Sequence, residues 1–397
     1  MIKNDNILRV FLVFIRALPI LLLPLFFNVK DVGYYGLINS YTILISFILG
    51  GELWYEYNRK LTSSKTIKKK GIILSKQINS YLIIYLFIIP IVFFIVFILY
   101  SNFSLALLIS VLAISTHLIT ESNRILLHLK KHYEAALASI ISNLWITIFV
   151  IKEPTLGQLF FLMVISYVTS CIYSYSIIKK DKIILKFKKE KLFKSIKSIL
   201  VLVKKNKSIF ISSILLKIEL NSLRLILGFA ALNIELGIVS YYMSVFGLVE
   251  YFLFYFIHSK FIPKFLEKHS DVSMLSKKLY KINIMMTLIL VIGALISSIA
   301  IAYLFFDNKE YFYNYKYSFL IAIGYIFLGL SLYYTTMGYV TSNDDVYKKP
   351  PIIIFSLVII NFIYAMVANS PSATCIIVLN VLLYMALYFF RWKNYNE

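Results

Sequence analysis

Three charged residues stand inside an apolar stretch of this sequence. Residues 213–237 are long and apolar enough to cross a bilayer, yet they include Lys217, Glu219 and Arg224. Charged side chains at bilayer depth are energetically costly, and they generally face a protein interior or a water-filled cavity. This stretch is therefore the first candidate for binding chemistry, and the charges indicate recognition of an ionic group.

Helical spacing places the two cations on one face of this segment. The polar positions follow each other at helical intervals and form one narrow stripe. Glu219 does not belong to that stripe, because two residues from Lys217 correspond to roughly 200° around a helix. A straight helix therefore cannot turn both the stripe and Glu219 toward one cavity, and the role of Glu219 stays open. The stripe comprises Ser213, Lys217, Asn221, Arg224 and Gly228.

The composition predicts an all-α polytopic membrane protein. The chain has 397 residues, of which 60% are hydrophobic, and apolar runs of about 20 residues recur from end to end. The first run is expected to be a retained span rather than a signal peptide. Cys171 and Cys375 lie in separate runs without metal-ligand spacing, so we expect free thiols, no metal and no cofactor. The 12 predicted spans are 7–27, 34–55, 78–100, 105–122, 135–151, 158–178, 213–237, 237–257, 282–306, 318–337, 352–368 and 373–390.

The distribution of basic residues predicts the topology. The formal net charge is +22, but only four of the 41 lysines and arginines fall in predicted outer loops, and three lie within spans. This bias is typical of membrane proteins with both termini in the cytoplasm. It also explains the charge without any nucleic acid. Residues 179–207 hold twelve lysines and an amphipathic pattern over 192–203, which predicts an interfacial helix on anionic lipids.

A short motif suggests an internal repeat. Asp31 and Gly33 are predicted to lie in the outer turn after the first span, and Glu235 and Gly237 in the outer turn after the seventh, 204 residues later. Arg16 and Arg224 precede these motifs by similar distances. Two pseudo-symmetric lobes of six helices, related by an axis along the membrane normal, are therefore expected. The predicted domains are an N-terminal lobe over 1–178, a basic cytoplasmic linker over 179–207, and a C-terminal lobe over 208–397.

Candidate site residues divide into cations and acids. We predict that the first group binds substrate, because buried cations suit an anionic ligand. The acids are candidates for coupling or gating, because a buried carboxylate beside cations competes for them when ionised. A further stripe, formed by Ser110, His117 and Glu121, indicates either a proton path or packing against a helix of the neighbouring lobe. The predicted substrate-binding residues are Arg16, Arg224, Lys217 and Asn221, and the predicted coupling residues are Glu219, Glu250, Asp31 and Glu235.

Taken together, these features resemble the Wzx-type flippases of O-antigen and capsule synthesis. These belong to the MOP exporter superfamily, with the MATE transporters and lipid II flippases. The resemblance rests on the proline-containing first span with Arg16, the acid-x-Gly motif, the charged seventh span, the basic linker and the IPKF sequence at 262–265. It implies a carrier in the bacterial inner membrane that moves undecaprenyl-diphosphate-linked oligosaccharides by alternating access, coupled to an ion or proton. A polysaccharide polymerase and a chain-length regulator are the protein partners it implies.

Other membrane proteins have similar composition. A MATE-like antiporter of small cations should have an acidic cavity, whereas the deep charges here are mainly basic. A Wzy-type polymerase should carry a sizeable outer loop with catalytic residues, and the longest predicted outer break is only 307–317. That tyrosine-rich loop either contacts sugar or forms an interfacial aromatic belt. A channel would need a stretch that resembles a selectivity filter, which the sequence lacks. The sequence also lacks a Gly-rich nucleotide-binding loop, so direct use of ATP is not expected.

Overall fold

The computed structural model consists of helices throughout the residues that it describes. These residues are 14–15, 17–50, 57, 60–61, 64, 66–129, 131–180, 196, 199–201, 204, 207–258, 261, 265, 272–341, 343, 345–368 and 370–396. We number the helices α1 (Ala17–Phe26), α2 (Val29–Gly50), α3 (Ile67–Tyr100), α4 (Phe103–His128), α5 (His132–Ile141), α6 (Leu156–Lys180), α7 (Lys207–Phe229), α8 (Asn233–Phe252), α9 (Val272–Phe305), α10 (Tyr315–Thr341), α11 (Asp345–Val367) and α12 (Ala373–Asn396).

The predicted all-α membrane fold with two pseudo-symmetric halves is confirmed. Each predicted span has a helix at its position, and the repeat is visible in the helix lengths. Both α3 and α9 contain 34 residues, and they begin 205 residues apart, while α8 begins 204 residues after α2. Of the helices in the described ranges, ten are long and apolar enough to cross a membrane. The chain is therefore a multi-pass integral membrane protein.

Two of the twelve helices do not reach that criterion. The described part of α1 is short, and α7 carries Lys217, Glu219 and Arg224 in its apolar segment.

The fifth predicted span is divided: α5 ends at Ile141, and a 3₁₀ turn covers Leu144–Val150. Ser142 and Asn143 stand at this division, and both side chains bond to the backbone carbonyl of Ser139. Such side-chain bonds compete with the helical pattern and explain the interruption.

The helices form two compact units. One contains the described residues of 41–214, and the other contains 17–40 together with Leu215–Glu397. The boundary at 214–215 lies inside α7, and the boundary at 40–41 lies inside α2. The predicted division into domains 1–178, 179–207 and 208–397 stays a prediction. The predicted interfacial helix lies almost wholly outside the described residues.

Within the first unit, α4 packs against α3, α5 and α6. Local sequence sets the start of these helices. Thr66 caps α3 by accepting a hydrogen bond from the Lys69 backbone, and Asn102 caps α4 by accepting one from Leu105. Ser101 joins the two helices in the left-handed conformation, with a φ of 49°. The α3–α4 pair is therefore a tight hairpin, which brings polar residues of the two helices face to face.

The second unit is built around α10, which packs against α8, α9, α11 and α12. Its core is rich in aromatic side chains. Tyr241, Tyr242, Phe306 and Tyr311 form a buried cluster near the short helix Glu310–Tyr313. Tyr311 is thus part of the core and unavailable to sugar, whereas Tyr313 is 71% exposed, as expected for an interfacial aromatic.

The equivalent helices α3 and α9 both lie at the periphery of their units. Most of their apolar side chains are exposed, as expected of surfaces that face lipid. The densest run of exposed apolar residues extends from Leu82 to Leu99 on α3 and from Met285 to Phe305 on α9. The interior of the first unit is instead centred on α4, and that of the second on α10.

Candidate functional site

Arg224 is buried in the second unit without an acidic partner. Its side chain is 9% exposed, and Nη2 donates to the carbonyl oxygen of Ser240 at 3.2 Å and to Oγ of Ser244 at 2.9 Å. Its Nε has no hydrogen-bond partner among the described residues. Among the residues that the structure describes, no carboxylate forms an ion pair with it. The guanidinium therefore keeps donor capacity for an anion, and its neutral oxygen partners are exchangeable.

Three tyrosines surround this guanidinium and interact with it electrostatically. They come from three helices: Tyr35 from α2, Tyr325 from α10 and Tyr384 from α12. The Tyr325 hydroxyl donates to the backbone of Met243, and the Tyr384 hydroxyl is buried without a partner in the described structure. Sequence reasoning missed these tyrosines, because a chain with 31 tyrosines gives no signal for any single one. Hydroxyl groups from three helices therefore lie near enough to interact with this buried cation.

Two residues of the predicted stripe face α2. A side chain at Gly228 would collide with Leu37, and Arg224 Cδ lies 3.7 Å from the Cβ position of Gly36. The stripe is therefore a helix–helix interface on this part of its length. Asn221 is buried, and its amide donates to the backbone carbonyl of Lys217 at 2.9 Å. Lys217 is half-buried and interacts electrostatically with Glu250.

Glu219 is the most completely buried charged residue of the site. Its exposure is 0%, and neither carboxylate oxygen receives a hydrogen bond from the described residues. The helix at this point is fixed by its neighbours: Asn380 of α12 donates to Ser222 at 2.8 Å, and Ser222 donates to the Glu219 carbonyl at 2.8 Å. Glu219 thus points into the second unit, on a different side from the stripe, as the sequence spacing predicted.

Among the described residues, Arg391 is the cation that interacts electrostatically with Glu219. It is 4% exposed, donates to Ser331 of α10 at 2.8 Å, and interacts electrostatically with both Glu219 and Glu250. The sequence interpretation ended span 12 at residue 390 and left Arg391 at the membrane surface. The helix in fact continues to Asn396. A basic residue just beyond an apolar run ordinarily signals an interfacial anchor, so the pattern gave no sign of burial.

The predicted coupling acids Asp31 and Glu235 do not lie in outer turns. This prediction was wrong: both occur in the first turn of a helix, α2 and α8. Asn28 Oδ1 accepts a bond from the Asp31 backbone at 2.9 Å, and its amide donates to the Asp31 carboxylate at 2.6 Å. Reciprocal bonds of this kind cap a helix, and acids in a first turn also suit the helix dipole.

The two glycines of the repeated motif lie against each other. A Cβ on Gly237 would be 1.9 Å from the carbonyl oxygen of Val29, and a Cβ on Gly33 would be 2.9 Å from that of Asn233. No side chain fits at either place, so only glycine permits this approach of α2 to α8. The motif that suggested the repeat is therefore the point where its two copies meet.

The first unit contains a separate polar network between α3 and α4. Glu121 accepts from Tyr81 at 2.7 Å, from Gln77 at 3.1 Å and from Arg124 at 2.7 Å. His117 Nδ1 bonds to Tyr85. The network joins two helices of its own unit, α3 and α4. Ser110 takes no part, because its hydroxyl donates to Ala106 in its own helix. The predicted site residue Arg16 lies outside the described residues.

Comparison with solved structures identifies the fold. The structure described as "Lipid II flippase MurJ, inward closed conformation" matches with a TM-score of 0.72 and 15% identity, covering 100% of this chain and 88% of that one. An inward-facing multidrug resistance MATE family transporter of the MOP superfamily matches with a TM-score of 0.62 and 13% identity, covering 98% of each chain. The chain has the fold of the MOP superfamily. Neither the protein-family models nor the curated proteins that were compared give a match.

Within this MOP fold, five buried or half-buried charged residues lie in the second unit. Lys217, Arg224 and Arg391 supply three cations, and Glu219 and Glu250 supply two acids, from helices α7, α8 and α12. The surplus of cations distinguishes this cluster chemically from an acidic site for a cationic drug. An anion is the ligand that best complements it.

Proposed function

We propose that this protein is a flippase for polyprenyl-diphosphate-linked oligosaccharides. It moves the repeat unit of a surface polysaccharide from the inner to the outer leaflet of the bacterial cytoplasmic membrane by alternating access. The observation that carries this proposal is Arg224, a buried guanidinium without an acidic partner among the described residues of a MOP fold. A carrier of this class needs such a group, because its cargo brings a diphosphate into the membrane.

The chemistry of the cargo explains the need for cations. A diphosphate linkage carries about two negative charges, and burying these without partners is prohibitive. A guanidinium offers charge-assisted hydrogen bonds to phosphate oxygens, and its planar donors permit bidentate contact. In the present conformation Ser240 and Ser244 occupy one nitrogen of Arg224. Phosphate oxygens are better acceptors for the same donors, so the exchange is favourable when cargo arrives.

The remaining predicted cations extend this site. Lys217 precedes Arg224 by two helical turns on α7, and Arg16 belongs to the corresponding span of the other repeat. We propose that Arg16 and Arg224 share one water-filled groove and that the lipid tail remains in the bilayer. Asn221 provides an amide beside them. The acids Glu219 and Glu250 weaken the hold on the diphosphate when they are ionised, and release follows.

Substitution of Arg224 tests the site. Arg224→Ala should lower export of lipid-linked repeat units by at least about tenfold, because a charge-assisted hydrogen bond contributes roughly 1.5–3 kcal/mol. Arg224→Lys should retain part of the activity, since lysine keeps the charge but loses the bidentate fork. The matched control is Lys349→Ala, which removes an exposed cation of α11. Normal export by Arg224→Ala at wild-type protein levels would contradict the assignment.

A deletion strain tests the cargo. Without the protein, lipid-linked repeat units should accumulate on the cytoplasmic face, and surface polysaccharide should be lost. The leaflet is read on spheroplasts with a lectin or glycosidase that cannot cross the membrane. Accumulation of single units on the outer face would instead indicate a polymerase, which acts after translocation.

One observation favours a second candidate. Glu219 and Glu250 are membrane acids of the kind that a proton antiporter of small cations requires. Under that alternative, Glu219→Gln should abolish resistance to cationic drugs, and Arg224→Ala should leave it intact. Under the flippase proposal, no drug resistance depends on either residue.

A further inference from the structure

Glu219 and Glu250 are the two acids of the charged cluster, and their surroundings differ. Glu219 is 0% exposed and receives no hydrogen bond on either oxygen from the described part of the chain. Glu250 is partly exposed and has two cations near it, Lys217 and Arg391. A buried carboxylate without donors is stable only as a neutral acid or beside a compensating cation. Compared with Glu250, Glu219 is therefore the acid whose charge depends more on a single neighbouring cation.

That neighbour is Arg391. Arg391 and Tyr384, both of α12, interact electrostatically with Glu219. Glu250 of α8 interacts with the same Arg391, and with Lys217 of α7 and Tyr325 of α10. Of these, Arg391 is the cation that acts on Glu219, and it also acts on Glu250. One guanidinium thus interacts with two carboxylates. Its Nη1 also donates a hydrogen bond of 2.8 Å to Oγ of Ser331.

The two helices that carry this pair are fixed to each other. Asn380 of α12 donates to Ser222 of α7, which donates to the Glu219 carbonyl in its own helix, so the two helices cannot separate without breaking a buried hydrogen bond. A change in the partner of Arg391 therefore involves its side chain alone. The guanidinium is long enough to turn between anions while the helices stay in place.

We propose that Glu219 is a proton-binding acid and that Arg391 is the positioning residue that controls its proton. When the guanidinium turns to Glu219, the residue is a carboxylate. When another anion engages the guanidinium, Glu219 takes a proton from water onto one oxygen and becomes a neutral acid, and no covalent bond breaks. The purpose of this step rests on the proposed flippase function, in which the diphosphate of the cargo is that anion. Cargo binding is then accompanied by proton uptake.

A carbodiimide tests the proton directly, without cargo. Dicyclohexylcarbodiimide modifies protonated carboxyl groups in apolar surroundings. The purified full chain in detergent is treated over a range of pH, and each modified glutamate is quantified by mass spectrometry. Glu219 should be modified, less so as the pH rises, and Glu250 should remain largely unmodified. In Arg391→Gln, modification of Glu219 at the alkaline end of the pH range should increase by about tenfold. This increase corresponds to a displacement of the modification profile by one pH unit.

Two control variants separate this role from a structural one. Arg391→Lys keeps the cation and should restore the wild-type profile, and Lys349→Gln removes an exposed cation and should leave the profile unchanged. An identical profile in folded Arg391→Gln would overturn the proposal. So would modification of Glu250 in place of Glu219, or a wild-type Glu219 that is unreactive at every pH. If Arg391→Gln does not fold, the Arg391→Lys and wild-type profiles still decide. A wrong cargo would leave all of these results intact, so the two proposals fail separately.

Discussion

At the scale of single residues, several buried polar groups in this protein are held by specific side-chain partners. His258 is the clearest case. It is 0% exposed and stands at the end of the π-helical turn Leu253–His258. Nδ1 lies 2.6 Å from the hydroxyl of Thr336, and Nε2 lies 2.9 Å from Oδ1 of Asn283. Asn283 in turn donates to the carbonyl of Gly329. This chain of bonds connects the π-helical turn after α8 with α9 and α10.

Removing the imidazole should therefore destabilise the second unit. His258→Ala removes the imidazole partner of the Thr336 hydroxyl and of Asn283 Oδ1, and each such loss in a buried position costs about 1–3 kcal/mol. The expected result is a lower melting temperature in detergent and a smaller amount of protein in the membrane. His128→Ala, at the partly exposed end of α4, serves as the control and should change stability little. Equal stability of His258→Ala and wild type would show that these bonds contribute little.

The same scale shows what the sequence can and cannot predict about the site. Arg224 and Glu219 could be predicted, because a charge inside an apolar run is conspicuous. Arg391 could not, because it follows an apolar run and resembles an anchor at the membrane surface. Tyr35, Tyr325 and Tyr384 could not, because tyrosine is common throughout the chain. Predictability thus depends on the contrast between a residue and its sequence neighbours, whereas the site depends on neighbours in space.

At the scale of helices, the contact of α2 with α8 depends on two glycines. Gly237→Ala should force the helices apart, because its Cβ would be 1.9 Å from the Val29 carbonyl oxygen. We expect a destabilisation of about 2 kcal/mol or more, or loss of the folded protein, measured by thermal unfolding in detergent. Gly247 lies on the same helix with no atom within 4 Å of its Cβ position. Gly247→Ala should be neutral or slightly stabilising.

Helix ends were the least predictable elements. Span 3 was placed at 78–100, but α3 begins at Ile67, eleven residues earlier. Apolar runs mark the membrane part of a helix, and they say nothing about polar turns beyond it. The capping residue Thr66 was the available signal for this start. The motif at Asp31 misled for a related reason, because Asn and Asp favour both turns and the first turn of a helix.

At the scale of the whole molecule, the predicted topology can be tested by labelling. Both termini and residues 179–207 are expected in the cytoplasm. Single cysteines would replace Asn102, Ser195 and Ser370 in a chain where Cys171 and Cys375 are changed to serine. A reagent that cannot cross the membrane should label positions 102 and 370 in intact cells. Position 195 should react only after the membrane is opened, and its labelling in intact cells would contradict the orientation.

The exposed faces of α3 and α9 have a consequence for the choice of bilayer. On α3 the outward apolar residues extend from Leu82 to Leu99, and on α9 from Met285 to Phe305. At the rise of an α-helix these bands are about 26 and 30 Å long. They match the hydrocarbon thickness of an ordinary membrane, which is about 30 Å. Lipids whose chains are much shorter or longer would force the protein to tilt or the bilayer to deform. The stability of the reconstituted protein should therefore depend on acyl-chain length as strongly as it depends on many point substitutions.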